Sequence, residues 1–206
     1  MPLITTQSAK GFGFGALTSG GGGGSFDWIA TTTASGTTAT LSLGSIPQTY
    51  SHLRIIATTK STYNSSGVGE SYFKIQMGNG SADTGNNYYF GNYRANAASS
   101  VIYNNQNAVS AFWSQCPWLN SASMSGYLYD TMIMDIIDYT STSKLKQVRW
   151  YNGYPANSTS GNSELFYRHG TWNSTAAVNT LLLDSSTPFA DGEFAVNSTF
   201  TLYGVK

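Results

Sequence analysis

The chain has 206 residues, and its ten basic and ten acidic side chains give a formal net charge of zero. Charged residues make up only 10% of the sequence, against about 25% in an ordinary soluble domain. With no basic cluster, these numbers argue against electrostatic binding of nucleic acid or an anionic membrane. No run approaches the ~20 apolar residues of a membrane span, and a single cysteine, Cys116, excludes a disulfide framework. Because no net charge keeps copies apart, we expect self-association.

Residues 1–25 are predicted to form an extended, glycine-rich N-terminal arm that ends in five consecutive glycines, 20–24. A phenylalanine gains free energy only where it leaves water, and the glycines around it make ordering the chain costly. The arm is therefore either a disordered leader or a segment that docks on another molecule. The second interpretation is favoured, and the residues expected to bind the partner are Leu3, Ile4, Phe12, Phe14 and Leu17.

Residues 26–206 are predicted to form a separate β-sheet body. Runs rich in β-branched and aromatic residues alternate with a period of two and are separated by Gly, Asn and Ser clusters. The strands predicted in chain order are 26–31, 38–43, 52–59, 71–77, 88–94 with an interruption at Gly91, 100–103, 108–113, 126–139, 144–151, 164–172, 178–184 and 200–206.

The alternation also predicts which side chains enter the core. Leu53, Ile55 and Ala57 are expected inside, as are Phe73, Ile75 and Met77, with Lys74 and Gln76 outside. The run 126–139 is largely apolar on both faces, which predicts a central strand covered on both sides or a strand bent by a bulge. No amphipathic helix is evident. The fold class is therefore predicted to be all-β, an antiparallel β-sandwich of jelly-roll type.

Groups able to carry out catalysis are scarce, and no catalytic, cofactor or metal residue is assigned. His52 or His169 could serve as a base for Cys116, but no nucleophile motif surrounds them. On a strand, Asp130 and Asp135 point to opposite faces and form no acid/base pair.

Two weaker hypotheses concern carboxylates. A polysaccharide hydrolase would need the fold to bring Asp135 or Asp138 near Glu164. The loop that contains Asp184, Asp191 and Glu193 could hold calcium, although loops often contain such residues.

Aromatic residues make up 14% of the chain and are the other candidates for recognition. Exposed rings beside Asn and Gln suit a sugar-binding surface and a protein interface equally well. The rings expected to lie in exposed, loop-rich regions are Tyr88, Tyr89, Tyr93, Trp113 and Trp118, whereas Trp28, Trp150 and Trp172 are expected in the core.

Several phrases resemble structural proteins of tailed-bacteriophage virions. They are an aromatic-x-x-Ile-Ala-Thr run, a Ser-Ile-Pro-x-Thr-Tyr-x-His-Leu run, and a closing Leu-Tyr-Gly. The residues that carry them are Phe26, Ile29, Ala30, Thr31, Ser45, Ile46, Pro47, Thr49, Tyr50, His52, Leu53, Leu202, Tyr203 and Gly204. The leader at 7–15 is similar to the N-terminal peptides of such proteins, whereas residues 63–200 resemble them only in general composition.

The resemblance implies a non-enzymatic virion protein, most simply a capsid decoration or cement subunit. Its partners would be major capsid or tail proteins, and its body would form a homo-oligomer, expected to be a trimer. The alternative is a tail-fibre or receptor-binding module that recognises host glycans through aromatic loops. The matching phrases are structural, so no catalytic role is transferred.

Overall fold

The computed structural model describes residues 25–36, 38–62, 70–96, 99–117, 129–154, 164–185 and 193–206. Regular structure within these ranges consists of β-strands alone. Accordingly, no helix among them is long and apolar enough to cross a membrane. The predicted arm, with Leu3, Ile4, Phe12, Phe14 and Leu17, lies outside the described residues, as does Trp118.

The described part of the chain contains thirteen strands. They are β1 (Phe26–Thr33), β2 (Thr40–Leu43), β3 (His52–Thr59), β4 (Glu70–Asn79), β5 (Ser81–Ala82), β6 (Tyr88–Asn96), β7 (Ser99–Val109), β8 (Phe112–Pro117), β9 (Asp130–Ile137), β10 (Lys146–Tyr154), β11 (Glu164–Trp172), β12 (Thr180–Asp184) and β13 (Thr199–Val205).

The strands form two antiparallel sheets. The large sheet has the order β1-β13-β3-β9-β10-β11-β6-β7, and the small sheet has the order β2-β12-β4-β5, with β8 also paired to β4. Every strand pair is antiparallel. The predicted all-β class is confirmed, and two antiparallel sheets fit the predicted sandwich.

One face of each sheet contributes to a shared hydrophobic core. The predicted inward residues of β3 and β4 are all buried: Leu53, Ile55, Ala57, Phe73, Ile75 and Met77. Gln76 was expected outside but is buried, because its Nε2 donates to the Ser110 carbonyl at 2.8 Å. Period-two alternation therefore predicts the apolar core residues of these strands. It does not predict the burial of Gln76, which depends on a hydrogen bond to a distant residue.

Two predicted interruptions are wrong. Strand β6 continues through Gly91, which pairs with His169 on one side and Asn105 on the other. Strand β7 continues through the polar run 104–107, because its backbone pairs with β6 whatever its side chains are. Ladder pairing, which the side-chain pattern does not encode, keeps both strands intact.

Strand β9 is central, as predicted, between β3 and β10. Its inner face carries buried Met132, Met134 and Ile136. Its other face is only partly covered, since Thr131 is exposed and Ile133 is half-buried. Among the described residues, the predicted cover on both sides of this strand is therefore incomplete.

Two of the three tryptophans assigned to the core are buried there, namely Trp150 and Trp172. The assignment of Trp28 is wrong, because its side chain is 63% exposed. Trp28 lies on the edge strand β1 opposite Tyr203, just before a register shift that ends at Ala30. This position turns the ring to the face of the large sheet that points away from the core.

The phrases near the two ends of the body pack against each other. Gly204 of β13 lies directly beneath the Tyr50 ring, and a Cβ at this position would stand 2.3 Å from Tyr50 Cγ. Ile46 is buried, and the Tyr139 hydroxyl donates to the Pro47 carbonyl. The Ser-Ile-Pro and Leu-Tyr-Gly phrases thus form one packing unit.

We predict that Gly204→Ala destabilises the body by about 1–3 kcal/mol, because the added methyl overlaps the Tyr50 ring and forces it to move. Unfolding by urea, followed by tryptophan fluorescence, measures the change. Gly44→Ala is the matched control, because a Cβ at Gly44 meets nothing within 4 Å. Equal stability of the two variants would contradict the proposed packing.

Candidate interaction surface

Exposed large hydrophobic side chains concentrate on one surface of the molecule. Ten occur among the described residues, and eight of them lie on the face of the large sheet that points away from the core. We call this surface the outer face; its eight exposed hydrophobic residues are Phe26, Trp28, Ile56, Tyr89, Tyr93, Tyr151, Leu165 and Tyr167. The other two, Leu145 and Val196, lie outside the strands.

Three tyrosines form a row across adjacent strands of the outer face. Tyr151 pairs with Tyr167, and Tyr167 pairs with Tyr93. Each is 46–48% exposed, and neighbouring strands are ~4.8 Å apart, so the side chains stand next to one another. Ile133 and Ile56 continue the same row on β9 and β3. The row is an apolar stripe with hydroxyl groups at one end.

A charged cluster lies beside the stripe at the centre of the outer face. Arg54 donates to both Asp135 oxygens, from Nε at 2.6 Å and from a terminal nitrogen at 2.9 Å. Arg149 Nε adds a third contact at 3.3 Å and keeps its side chain 60% exposed. Burial raises the pKa of Asp135, but the bonds and charges of both arginines outweigh it and hold that pKa below its usual value.

The composition of the outer face resembles that of a protein interface. The outward positions of β1, β13, β3, β9, β10, β11 and β6 contain no lysine and no glutamate. They carry Trp28, Phe26, five tyrosines including Tyr203, and two arginines. Tyr, Trp, Phe and Arg are enriched in the centres of interfaces, and Lys and Glu are depleted there.

The recognition residues predicted from the sequence separate into different environments. Tyr89 and Tyr93 belong to the outer face, although they lie on β6 and not in a loop. Trp113 is half-buried on β8 and packs against the core. Tyr88 was expected to be exposed but is buried. Its hydroxyl accepts a bond from the Met77 amide at 3.0 Å and lies 2.9 Å from the Asp83 carbonyl, to which it can donate. Tyr88 faces inward because it is one residue from Tyr89 on the same strand.

Sequence reasoning missed Tyr151, Tyr167 and Leu165. A signal was present, because Trp150 was expected in the core and Tyr151 is the next residue of the same predicted strand. On an alternating strand, the neighbour of an inward residue points outward. Strict use of the period would have placed Tyr151 on the surface.

A buried polar network crosses the opposite, inner face of the large sheet. Asn152 Nδ2 donates to Asp130 at 2.8 Å, and Arg168 donates to the Asn152 amide oxygen. The Gly153 amide also donates to Asp130, at 3.0 Å. Arg168 stacks over the Phe166 ring, with 4.2 Å from its guanidinium carbon to the ring centroid. Asn152 thus bridges the buried Arg168 and the buried Asp130 by hydrogen bonds to both.

The carboxylate pair required by the hydrolase hypothesis is not formed. Glu164 is buried on the inner face, where Arg94 donates to it, whereas Asp135 lies on the outer face. Asp138 follows the far end of β9 and accepts a bond from Lys144 at 2.7 Å. The prediction that Asp130 and Asp135 occupy opposite faces is confirmed by their bonding partners.

Two of the remaining candidate groups, His52 and Asp184, have structural partners. His52 Nδ1 accepts a bond from the Asp138 amide at 3.0 Å, and His169 is exposed on the outer face. Asp184 forms an ion pair with Lys74 at 2.8 Å, and Asp191 lies outside the described residues. Within the described ranges, no three His, Cys, Asp or Glu residues are grouped as metal ligands would be.

Comparison of the chain with protein-family models, curated proteins and solved structures found no match. The function is therefore inferred from the residues of the chain itself. Among the described features, the outer face bears most directly on function.

We predict that the Asp130 carboxyl makes stability fall as the pH rises. Burial raises the pKa of Asp130 to about 7 in the folded chain, from an ordinary 3.8, although Asn152 and Arg168 oppose this. Folded chains therefore hold a proton that unfolded chains release between about pH 4 and 7, a slope of at most ~1.4 kcal/mol per pH unit. Asp130→Asn should flatten it.

Urea titrations at several pH values between 4 and 7 measure this slope. Asp138→Asn is the control, because Lys144 lowers the pKa of Asp138, which is therefore ionised in both states above pH 5. An unchanged slope in Asp130→Asn would show that the buried carboxyl does not take up the proton.

Proposed function

We propose that the chain is a non-enzymatic structural subunit of a tailed-phage virion, a capsid decoration or cement protein. The observation that carries the proposal is the outer face, which holds eight of the ten exposed large hydrophobic residues in the described part of the chain. Contiguous exposed apolar surface of this extent marks a site of association. A zero net charge suits a protein packed in many copies.

We also propose that the body is a jelly roll with inserted strands, an architecture common in viral capsid domains. A jelly roll places its first, eighth, third and sixth strands in one sheet and its second, seventh, fourth and fifth in the other. The orders β1-β13-β3-β9 and β2-β12-β4-β8 follow this pattern. The inserted strands β10, β11, β6 and β7 then widen the large sheet, and the tyrosine row lies on three of them.

The N-terminal arm supplies a second contact in this proposal. Strand β1 begins at Phe26 on the edge of the large sheet, and Phe26 itself belongs to the outer face. An arm bound to a neighbouring capsid or tail protein would raise the effective concentration of the outer face near its own partner. Phe12 and Phe14 would each contribute ~1.5–3 kcal/mol by leaving water.

Antibody labelling of phage particles tests the location of the protein. An antibody raised against the full chain should label the heads of particles purified from a lysate of the host that carries the gene. Electron microscopy of gold-labelled particles records the outcome. Particles without label and without peptides of this chain in mass spectrometry would refute the virion role.

Replacement of both Phe12 and Phe14 by serine tests the arm. We expect the variant to fold normally and to lose occupancy on particles, because its body is unchanged and its buried anchors are gone. Serine at Gln7 and Thr18 is the matched control, since it leaves the aromatic rings in place. Unchanged occupancy of the phenylalanine variant would exclude the arm as an anchor.

A second candidate function is a receptor-binding module for host glycans. The observation that favours it is the row of Tyr93, Tyr167 and Tyr151, since exposed rings stack on the apolar faces of sugars. Here the binding surface would be a flat sheet face and not the aromatic loops expected from the sequence. Glycan-array binding that Tyr167→Ser abolishes would support this function, and a blank array would remove it.

A further inference from the structure

We infer that the outer face binds the outer face of a second copy of this chain, in a two-fold symmetric pair. The inference rests on the proposed function only in treating the outer face as an association surface. Size, composition and the arrangement of residues across the strands each support the second copy as the occupant.

The size of the outer face matches one side of a stable interface. Seven strands spaced by ~4.8 Å are about 34 Å wide, and four outward positions along a strand extend about 20 Å. The resulting area of about 700 Å² is close to the ~800 Å² that each partner contributes to a standard protein interface. Two sheets can pack face to face over such an area.

The composition favours a protein partner without excess charge. Tyrosines, Trp28 and Arg149 are the residue types that dominate binding energy at interfaces, and all are exposed on the outer face. The chain as a whole has no net charge, so two copies approach without long-range repulsion.

The outer face is complementary to itself. A two-fold axis parallel to the strands, between β9 and β10, places β9 over β10 of the partner and β3 over β11 of the partner. Asp135 then faces the partner's Arg149, and the reciprocal contact forms by symmetry. This meeting of opposite charges follows from the order of the strands.

The apolar residues follow the same symmetry. The stripe is aliphatic on β3 and β9, with Ile56 and Ile133, and aromatic on β10 and β11, with Tyr151 and Tyr167. The axis sets Ile133 over the partner's Tyr151 and Ile56 over the partner's Tyr167. Each isoleucine thereby covers a ring that is about half exposed in the single chain.

An isologous contact of this kind closes at two copies. We therefore expect a pair, in place of the trimer that the resemblance to virion proteins implies.

Sedimentation equilibrium of the full chain tests the pair. The expected mass is twice that of the 22.1 kDa chain, and Tyr167→Lys or Ile56→Lys should each weaken association about tenfold or more. Val196→Lys is the matched control, because this residue is similarly exposed but lies outside the strands of the outer face. The control should leave the mass unchanged.

Crosslinking between two single-cysteine chains tests the symmetry. Ile56→Cys and Tyr167→Cys are made separately, each with Cys116→Ser to remove the other thiol. A bis-maleimide about 10 Å long matches the spacing of packed sheets. A mixture of the two chains should give a covalent dimer, and each chain alone should give much less, because identical positions lie three strands apart across the axis.

Several outcomes would overturn the pair. They are a monomer at all concentrations, a mass three times that of the chain, or equal weakening by the outer-face and control variants. If serine at Phe12 and Phe14 dissociates the pair as fully as Tyr167→Lys, the arm is the occupant instead. None of these results affects antibody labelling of particles, so the pair and the virion role fail independently.

Discussion

A β-strand turns successive side chains to opposite faces, and only one face of the large sheet packs against the small sheet. The other face must therefore be polar, be covered by a partner, or remain in water with its apolar groups exposed. In this chain it carries the row of Tyr151, Tyr167 and Tyr93, each about half exposed. Full burial of one large apolar side chain contributes about 1.5–3 kcal/mol of stabilisation, and a ring that stays in water does not provide it. A bound partner would recover part of that free energy.

The charged cluster at the centre of the outer face makes such a contact selective. Asp135 is held by two arginines, and Arg54 is oriented by both carboxylate oxygens. Arg149 forms one contact to Asp135 and is 60% exposed. A partner that offers no acceptor would therefore bury the solvent-facing N–H groups of this guanidinium without hydrogen bonds, which is costly. A second copy supplies its own Asp135 at that place, which an unrelated apolar surface does not.

The inner face follows different rules because it lies in a low dielectric. There Asn152 bridges Arg168 and Asp130 by hydrogen bonds, and burial raises the pKa of Asp130 to about 7. Such a network stabilises the fold only while each member keeps its partner. The chain thus places one carboxylate, Asp135, where partners stabilise its charge, and another, Asp130, where burial disfavours charge.

Much of the fold could be predicted from the sequence, because side-chain alternation is a local property. Strands β3 and β11 have the predicted limits, and the inward residues of β3 and β4 are those expected. The local side-chain pattern failed where pairing between strands determines whether a strand continues. Gly91 does not interrupt β6, because strands on both sides bond to it. Tyr88 is buried although its neighbour is exposed.

The sequence by itself determined the all-β class, most of the core and the scarcity of charge, since composition and a two-residue period are readable along the chain. Only the tertiary structure decided that Tyr93, Tyr151 and Tyr167, up to 74 positions apart in the numbering, stand side by side. It also decided that Asp135 lies between two arginines. The physical reason is that strand order and register arise from long-range pairing, which brings together residues whose local sequences carry no sign of one another.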